Sequence, residues 1–138
     1  MVRVAINGFG RIGRTFLRSA VGHDDFTVVA VNDLGDLDTL AYLLEYDSVY
    51  GRSPFSVEIK DGALVVDGNK IEFLQERDPA KLPWEAHEID VVVESTGFFT
   101  TYAGAKKHLT AGAKRVVISA PAKDDPAETD VPAGTVLM

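Results

Sequence analysis

A glycine-rich segment near the N-terminus is the feature that most constrains how this chain can fold. Residues 8–13 read Gly-Phe-Gly-Arg-Ile-Gly and follow a short apolar run at residues 2–6, which predicts a buried strand. Downstream, Ile12, Phe16 and Ala20 recur at helical spacing. A strand, three glycines and a helix in this order are typical of the first turn of a dinucleotide-binding βαβ unit.

Each glycine of this segment has its own predicted role. Gly8 permits the tight turn after the strand, Gly10 lets a diphosphate approach the backbone, and Gly13 lets the helix pack closely on the strand. Free N–H groups at the helix start, together with the helix dipole, would hold the diphosphate. The alternative is a structural turn of three glycines, which would not require the flanking strand and helix that are predicted here.

An acidic residue follows at the spacing that ribose recognition needs. Asp33 lies 20 residues after Gly13, at the end of a second apolar run over residues 26–31. A carboxylate at this point can accept hydrogen bonds from the ribose hydroxyls of a bound dinucleotide. The alternative is an aspartate that caps the next helix, although Asp36 and Asp38 are better placed for capping.

The alternation of strands and helices is interrupted once. Between residues 54 and 74, alternating apolar residues are separated by two Asp-Gly pairs, which indicates an antiparallel meander. A polar stretch over residues 76–83 is predicted to be a loop with one helical turn. Continuous apolar runs elsewhere favour strands buried on both faces. The expected fold is therefore α/β, a Rossmann-type doubly wound and mainly parallel sheet with an inserted antiparallel meander.

The other elements follow from local periodicity. Apolar spacing predicts a helix over residues 37–44 and a second over residues 101–111, the latter with Tyr102, Ala105 and Leu109 on one face. Strands are predicted at residues 89–93, 115–119 and, at the end of the chain, 135–138, after a polar loop over residues 122–134. One domain is expected over residues 1–138.

Composition excludes several classes of protein. The 138 residues include 14 basic and 21 acidic side chains, a net charge of −7, which argues against nucleic acid or an anionic membrane as partner. No apolar run approaches the ~18–20 residues of a membrane helix, and no signal-peptide pattern opens the chain, so a cytoplasmic location is expected. The chain has no cysteine, which excludes disulfides, thiolate metal sites and a cysteine nucleophile within these residues.

The remaining candidate polar residues are ambiguous from spacing alone. His23, His87 and His108 show neither metal-ligand spacing nor a carboxylate partner, so all three are predicted to lie on the surface and no metal site is expected. Ser95 and Thr96 follow the third parallel strand. Their hydroxyls could contact a cofactor or cap the next helix, and the spacing leaves both interpretations open.

Six motifs run in order over nearly the whole length of the chain. They are Val-Ala-Ile-Asn-Gly-Phe-Gly-Arg-Ile-Gly-Arg at 4–14, Val-Asn-Asp-Leu at 31–34, Tyr-Asp-Ser at 46–48 with Gly51, Glu-Arg-Asp-Pro at 76–79, Glu-Ser-Thr-Gly at 94–97 and Ile-Ser-Ala-Pro at 118–121. In these motifs the chain resembles the phosphorylating glyceraldehyde-3-phosphate dehydrogenases, and the erythrose-4-phosphate dehydrogenases share much of the same pattern.

The resemblance implies a tetrameric enzyme that binds NAD and oxidises an aldehyde through a cysteine thioester, with phosphate accepting the acyl group. It places the backbone N–H groups of Arg11 and Ile12 on the pyrophosphate, Asp33 on the ribose and Arg77 on the adenine side. Ser95, Thr96, Gly97 and Ser119 would border the ribose and nicotinamide. The full predicted cofactor set is Asn7, Gly8, Gly10, Arg11, Ile12, Gly13, Asp33, Arg77, Ser95, Thr96, Gly97 and Ser119, with no catalytic residue.

The chain also departs from the family pattern. The family's cysteine nucleophile, histidine base, phosphate-binding residues and C-terminal helix would all lie beyond Met138. We therefore expect a cofactor domain that is inactive alone, with the catalytic domain of the same protein as its partner. The alternatives are a fragment of an erythrose-4-phosphate dehydrogenase and a stand-alone NAD-binding regulatory or interaction module.

Overall fold

The computed structural model describes residues 1–124 and residue 133. The predicted strand at residues 135–138, and most of the loop before it, lie outside the described residues. The strands are β1 (Val2–Asn7), β2 (Phe26–Asn32), β3 (Tyr46–Asp47), β4 (Gly51–Arg52), β5 (Val57–Lys60), β6 (Ala63–Val66), β7 (Asn69–Leu74), β8 (Val91–Glu94) and β9 (Arg115–Ile118). The helices are α1 (Arg11–Ala20), α2 (Leu37–Glu45), a 3₁₀ turn (Pro79–Lys81) and α3 (Tyr102–Thr110).

Seven of these strands form one mixed sheet in the order β5-β6-β7-β2-β1-β8-β9. The pairs β7–β2, β2–β1, β1–β8 and β8–β9 are parallel, whereas β5–β6 and β6–β7 are antiparallel. The predicted doubly wound sheet with an inserted meander is confirmed. The short β3–β4 hairpin was not predicted, because two-residue strands are too short to show a period.

The sheet is covered on both faces, which explains its continuous apolar strands. On β1, Val4 and Ile6 pack into the cluster that α1 and α2 cover, while Ala5 between them packs into a second cluster with Trp84 and Val92. Successive side chains of a strand point to opposite faces, so a strand between two cores is apolar at every position.

The apolar stripe predicted for α1 is wrong at its first position. Ile12 is 55% exposed, and the helix instead buries Gly13, Leu17 and Ala20. The stripe therefore begins one residue later, at a glycine, because the helix approaches the sheet too closely there for a side chain. The spacing of apolar side chains could not predict this position, because glycine has no side chain.

The predicted surface position of His108 is also wrong. The buried residues of α3 are Ala105 and His108, whereas Tyr102 and Leu109 are only partly buried. The imidazole is fully buried because both of its ring nitrogens have polar partners within the core, Trp84 and Glu94. His23 is exposed and His87 is half-buried. None of the described helices is both long and apolar enough to span a membrane.

Candidate functional site

A cleft of about 560 Å³ opens at the carboxyl ends of the parallel strands. The chain passes from β1 to β2 on one side and later returns to β8 on the other side of β1. This reversal of strand order is where doubly wound folds bind their ligands. The lining residues are Asn7, Gly8, Gly10, Asn32, Asp33, Leu34, Glu76, Arg77, Ser95, Thr96, Phe98 and Phe99.

The three glycines of the loop after β1 differ in what surrounds them. Gly8 has a φ of +95°, and a Cβ there would lie 2.6 Å from the backbone nitrogen of Thr96. A Cβ on Gly13 would overlap the carbonyl oxygen of Gly8. None of the residues that the structure describes lies within 4 Å of a Cβ built on Gly10. The fold itself thus requires glycine at positions 8 and 13, while position 10 faces open space.

The first turn of α1 offers free hydrogen-bond donors beside the cleft. Gly10 is the residue before the helix, and no side chain within residues 1–124 caps the helix there. The first N–H groups of a helix have no acceptor within it, and its dipole makes this end positive. Arg14 donates from Nη1 to the carbonyl of Phe9 at 2.9 Å. Burial, and then the charge of Arg11, lower the pKa of Arg14 from its usual value.

Asp33 ties the loop after β2 to the glycine-rich loop. Its Oδ2 accepts a hydrogen bond from the N–H of Phe9 at 2.7 Å, and its Oδ1 accepts one from the N–H of Gly35 at 2.7 Å. The cap of α2 is Asp36, which accepts from the N–H of Thr39 at 3.0 Å. The alternative that Asp33 is a helix cap is therefore wrong. An ionised carboxylate can accept about four hydrogen bonds, which leaves capacity for a ligand.

The hydroxyls of Ser95 and Thr96 bond to the walls of the cleft. Ser95 Oγ donates to the carbonyl of Gly8 at 2.7 Å, and Thr96 Oγ1 lies 2.5 Å from Oε1 of Glu94. The Ser95 bond holds the glycine-rich loop against the end of β8. Neither contact is to the helix that follows.

The N-terminus of α3 has other caps. Thr101 accepts a hydrogen bond from the N–H of Gly104 at 2.9 Å, and Asp124 accepts one from the N–H of Tyr102 at 2.7 Å. The Tyr102 hydrogen bond is the main cause of a lowered pKa at Asp124. The alternative that the two hydroxyl residues after β8 cap this helix is thus wrong.

The predicted cofactor residues divide into two groups. Seven of them lie in the wall of the cleft: Asn7, Gly8, Gly10, Asp33, Arg77, Ser95 and Thr96. The other five lie around it. Arg11, Ile12 and Gly13 form the first turn of α1, Gly97 follows β8 with a φ of +79°, and Ser119 extends β9 through its N–H bond to the Glu94 carbonyl.

Several lining residues were not among those predicted. Leu34 and Phe98 are strongly exposed beside the cleft, Phe98 at 84%, and Phe99 lies next to them. Apolar side chains around a few polar groups are typical of sites for planar ligands. The sequence feature that could have identified them is the pair of phenylalanines directly after Gly97. These two aromatic residues do not fit the apolar spacing of a strand or a helix, which points to a role in the loop.

Two asparagines that line the cleft connect the ends of β1 and β2. Asn7 Nδ2 donates to Glu94 Oε2 at 2.6 Å, and Asn32 Nδ2 donates to Asn7 Oδ1 at 2.8 Å. Asn32 Oδ1 accepts from the N–H of Glu76 at 2.8 Å. The side chain of Asn7 is buried and already bonded to Glu94 and Asn32.

Comparison with known proteins gives consistent matches. The family model for the NAD-binding domain of glyceraldehyde 3-phosphate dehydrogenase matches residues 2–102. The chain is 56% identical over 126 residues to glyceraldehyde-3-phosphate dehydrogenase of Bacteroides fragilis, covering 90% of this chain and 38% of that protein. It is 54% identical over 125 residues to the cytosolic enzyme of Trypanosoma brucei brucei (91% and 38%) and 53% over 124 to glyceraldehyde-3-phosphate dehydrogenase A of Escherichia coli K12 (90% and 38%). The chain thus spans about 38% of the length of these relatives.

Proposed function

Because this chain belongs to the family of glyceraldehyde 3-phosphate dehydrogenase NAD-binding domains, we propose that its cleft holds NAD in one orientation. The diphosphate lies over Gly10, against the N–H groups of Arg11 and Ile12. The observation that carries this placement is the space at Gly10, which is open among the described residues and lies directly before a helix start that none of their side chains caps. Backbone donors and a positive helix end suit a diphosphate.

The two nucleosides extend from that point in opposite directions. The adenosine ribose bonds to Asp33, whose carboxylate is held in place by two backbone N–H groups. Leu34, Phe98 and Arg77 surround the adenine, which gains apolar and stacking contact from exposed side chains. The second ribose and the nicotinamide lie along the loops after β8 and β9. The proposed residues there are Ser95, Thr96, Gly97 and Ser119, while Asn7, Gly8 and Gly13 shape the turn.

The domain serves a larger enzyme in this proposal. Residues 1–138 bind the cofactor. A catalytic domain of the same protein supplies the cysteine nucleophile, since this chain contains no cysteine. The reaction is the NAD-dependent oxidative phosphorylation of glyceraldehyde 3-phosphate in glycolysis and gluconeogenesis. The names of the relatives support this substrate over erythrose 4-phosphate.

We further propose a cytoplasmic homotetramer as the working form. The β3–β4 hairpin exposes Val49 and Tyr50, and α2 exposes Tyr42 nearby in the sequence. Large exposed apolar side chains of this kind favour contact with another subunit. The acidic composition and the name of the cytosolic trypanosome relative support the location.

The cofactor proposal is tested by titrating the chain with NAD while recording backbone amide NMR spectra. Saturable shifts at Gly8, Gly10 and Thr96 are expected, and AMP should reproduce only those near Asp33. Titration with nicotinamide mononucleotide is the matched control, and it should reproduce only the shifts near the loops after β8 and β9. Absence of saturable binding, or shifts confined to the opposite edge of the sheet, would contradict the proposal.

The substrate is tested with the longest polypeptide that the gene encodes. NADH formation is measured with glyceraldehyde 3-phosphate and, separately, with erythrose 4-phosphate, each with NAD and phosphate. A higher kcat/KM for glyceraldehyde 3-phosphate is expected. A preference for erythrose 4-phosphate would reverse the assignment, and no reaction with either aldehyde would favour a regulatory module.

A further inference from the structure

A chain of buried polar side chains begins at residues that do not line the cleft and ends at its walls. Trp84 lies in the segment before β8, His108 on α3, and Glu94 is the last residue of β8. Trp84 Nε1 lies 3.0 Å from His108 Nδ1, and His108 Nε2 lies 2.6 Å from Glu94 Oε2. Trp84 and His108 are 0% exposed and Glu94 is 2% exposed. None of these three lines the cleft.

Donor chemistry assigns the tautomer of His108. An indole nitrogen can only donate, so Trp84 requires Nδ1 of His108 to be an unprotonated acceptor. The imidazole must then carry its proton on Nε2, which points at Glu94. His108 is therefore neutral and donates to the carboxylate. A buried indole fixes the proton position of the histidine beside it.

Glu94 gathers further donors from the cleft walls. Oε2 also accepts from Asn7 Nδ2 at 2.6 Å, and Oε1 lies 2.5 Å from Thr96 Oγ1. The N–H of Phe98 donates to Thr96 Oγ1 at 3.1 Å, and the Thr96 hydroxyl in turn donates its own hydrogen bond to Glu94. The carboxylate thus accepts from three side chains, which matches its ionised form.

The carboxylate orients two groups that lead to the cleft. Through Asn7 it connects to Asn32 and the backbone of Glu76, and through Thr96 to the backbone N–H of Phe98. Both branches end at the cleft wall. A rotation of the Glu94 carboxyl would disturb both branches at once, because a buried polar group must keep its partners.

We propose that Trp84, His108 and Glu94 form a positioning relay that holds the cofactor cleft in its binding shape. This inference rests on the function proposed above. The three side chains do not touch the cofactor; they act through Asn7 and Thr96. The relay lowers the cost of binding because the loops after β1, β2 and β8 are ordered before NAD arrives.

The test compares substitutions of His108 in the 138-residue chain and in the longest polypeptide that the gene encodes. His108→Leu removes both hydrogen bonds and should weaken NAD binding by about tenfold or more. His108→Gln retains an acceptor for Trp84 and a donor for Glu94, and it should restore most of the affinity. Ile89→Val removes one methylene group from the apolar cluster that contains Trp84 and changes no polar group. The NAD affinity of this variant should equal that of the unaltered protein.

A spectroscopic measurement covers the case in which His108→Leu does not fold. The ¹⁵N shifts of the His108 ring should show a protonated Nε2 and an unprotonated Nδ1 in the unaltered protein. Trp84→Phe removes the indole donor that keeps Nδ1 unprotonated, so Nδ1 should be able to take up a proton while Nε2 keeps its own against Glu94, and NAD binding should weaken. Thermal unfolding records that each variant tested is folded.

The outcomes separate the relay from simple packing. Rescue by His108→Gln, together with the Nε2-protonated spectrum, supports the relay. Equal weakening by Gln and Leu, unchanged affinity in both Leu and Phe variants, or a protonated Nδ1 in the unaltered protein would overturn it. Failure of the unaltered protein to bind NAD would overturn the proposed function and the relay's role together, whereas equal binding by all variants overturns the relay alone.

Discussion

The carboxylate of Asp33 accepts a hydrogen bond of 2.7 Å from the backbone N–H of Phe9, which lies within the glycine-rich loop. Asp33 ends up beside this loop because β1 and β2 are parallel neighbours, paired from Val2↔Phe26 to Asn7↔Asn32. The residue proposed to bind ribose therefore also holds the loop proposed to bind diphosphate. A substitution at this position should disturb both.

Asp33 should determine the choice between NAD and NADP. The 2′-phosphate of NADP would face this carboxylate, and the next residues, Leu34, Gly35 and Asp36, offer no cation. NAD should bind at least about tenfold more tightly than NADP, and Asp33→Ala should weaken NAD binding and narrow that gap. Calorimetric titration with both cofactors measures this.

The control for that titration is Asp36→Ala. This change removes the cap of α2 and should lower the free energy of unfolding by about 1 kcal/mol while leaving cofactor selectivity unchanged. Equal affinity of the unaltered chain for both cofactors would show that Asp33 serves only the loop. An Asp33→Ala variant that keeps the full preference for NAD over NADP would also show that Asp33 serves only the loop.

Gly8→Ala should destabilise the fold far more than Gly22→Ala. Both glycines have positive φ, +95° and +87°, so the backbone strain is similar, about 1 kcal/mol or more. Only at Gly8 would the Cβ meet backbone, at 2.6 Å from Thr96, whereas Gly22 faces open space. Urea unfolding of the two variants isolates the steric part of the cost. Equal losses would mean that the loop can move away from β8.

Gly10→Ala should separate binding from stability. Gly10 has a φ of −76°, which any residue adopts, and its Cβ position is open. The free energy of unfolding should change by no more than about 0.5 kcal/mol, while NAD affinity falls because the methyl group occupies the diphosphate position. Calorimetric titration beside thermal unfolding checks both. Unchanged affinity would place the diphosphate elsewhere.

Asp90 should make stability depend on pH at the acid end. The hydrogen bond from the N–H of Arg3 is the first cause of a lowered pKa at Asp90, and Lys114, whose Nζ lies 3.0 Å away, is the second. A lowered pKa in the folded state stabilises the protein above the unfolded-state value and ceases to do so as pH falls through the folded-state value. Asp90→Asn should thus be less stable at neutral pH.

The stability difference between the unaltered chain and Asp90→Asn should shrink as the pH falls below about 4. Urea unfolding at a series of pH values measures it. Lys114→Gln is the matched variant, and it should remove only part of the effect because the backbone hydrogen bond remains. A difference that stays constant down to pH 2 would argue against an ionised role for Asp90.

The 138 residues alone should not reduce NAD when given glyceraldehyde 3-phosphate and phosphate. Without a cysteine thiolate no hemithioacetal can form, so hydride transfer lacks its covalent intermediate. Absorbance of NADH reports the reaction, and the control is the same preparation with a polypeptide that carries the catalytic domain. Phosphate-dependent turnover by the chain alone, free of host enzyme, would contradict this.

Local spacing determined a large part of the molecule. The glycine-rich turn, the helix over Leu37–Glu45 and the two Asp-Gly turns of the meander each depend on residues within about one element of each other. The same holds for Asp36 as the cap of α2, which bonds to a residue three positions away. Such features depend on backbone geometry and short periods, and a sequence displays both directly.

The buried polar residues were decided by the tertiary structure. His108 and Asn7 approach each other across 101 positions of sequence, and His108 and Trp84 across 24. No local pattern distinguishes a histidine whose ring nitrogens will both be satisfied in the core from one that faces water. Its burial is favourable only once β8, α3 and the Trp84 segment are packed together, because an unpaired buried polar group is costly. Whether burial of His108 is favourable therefore depends on Trp84 and Glu94, which the fold brings into contact with it and which its neighbours in the sequence do not reveal.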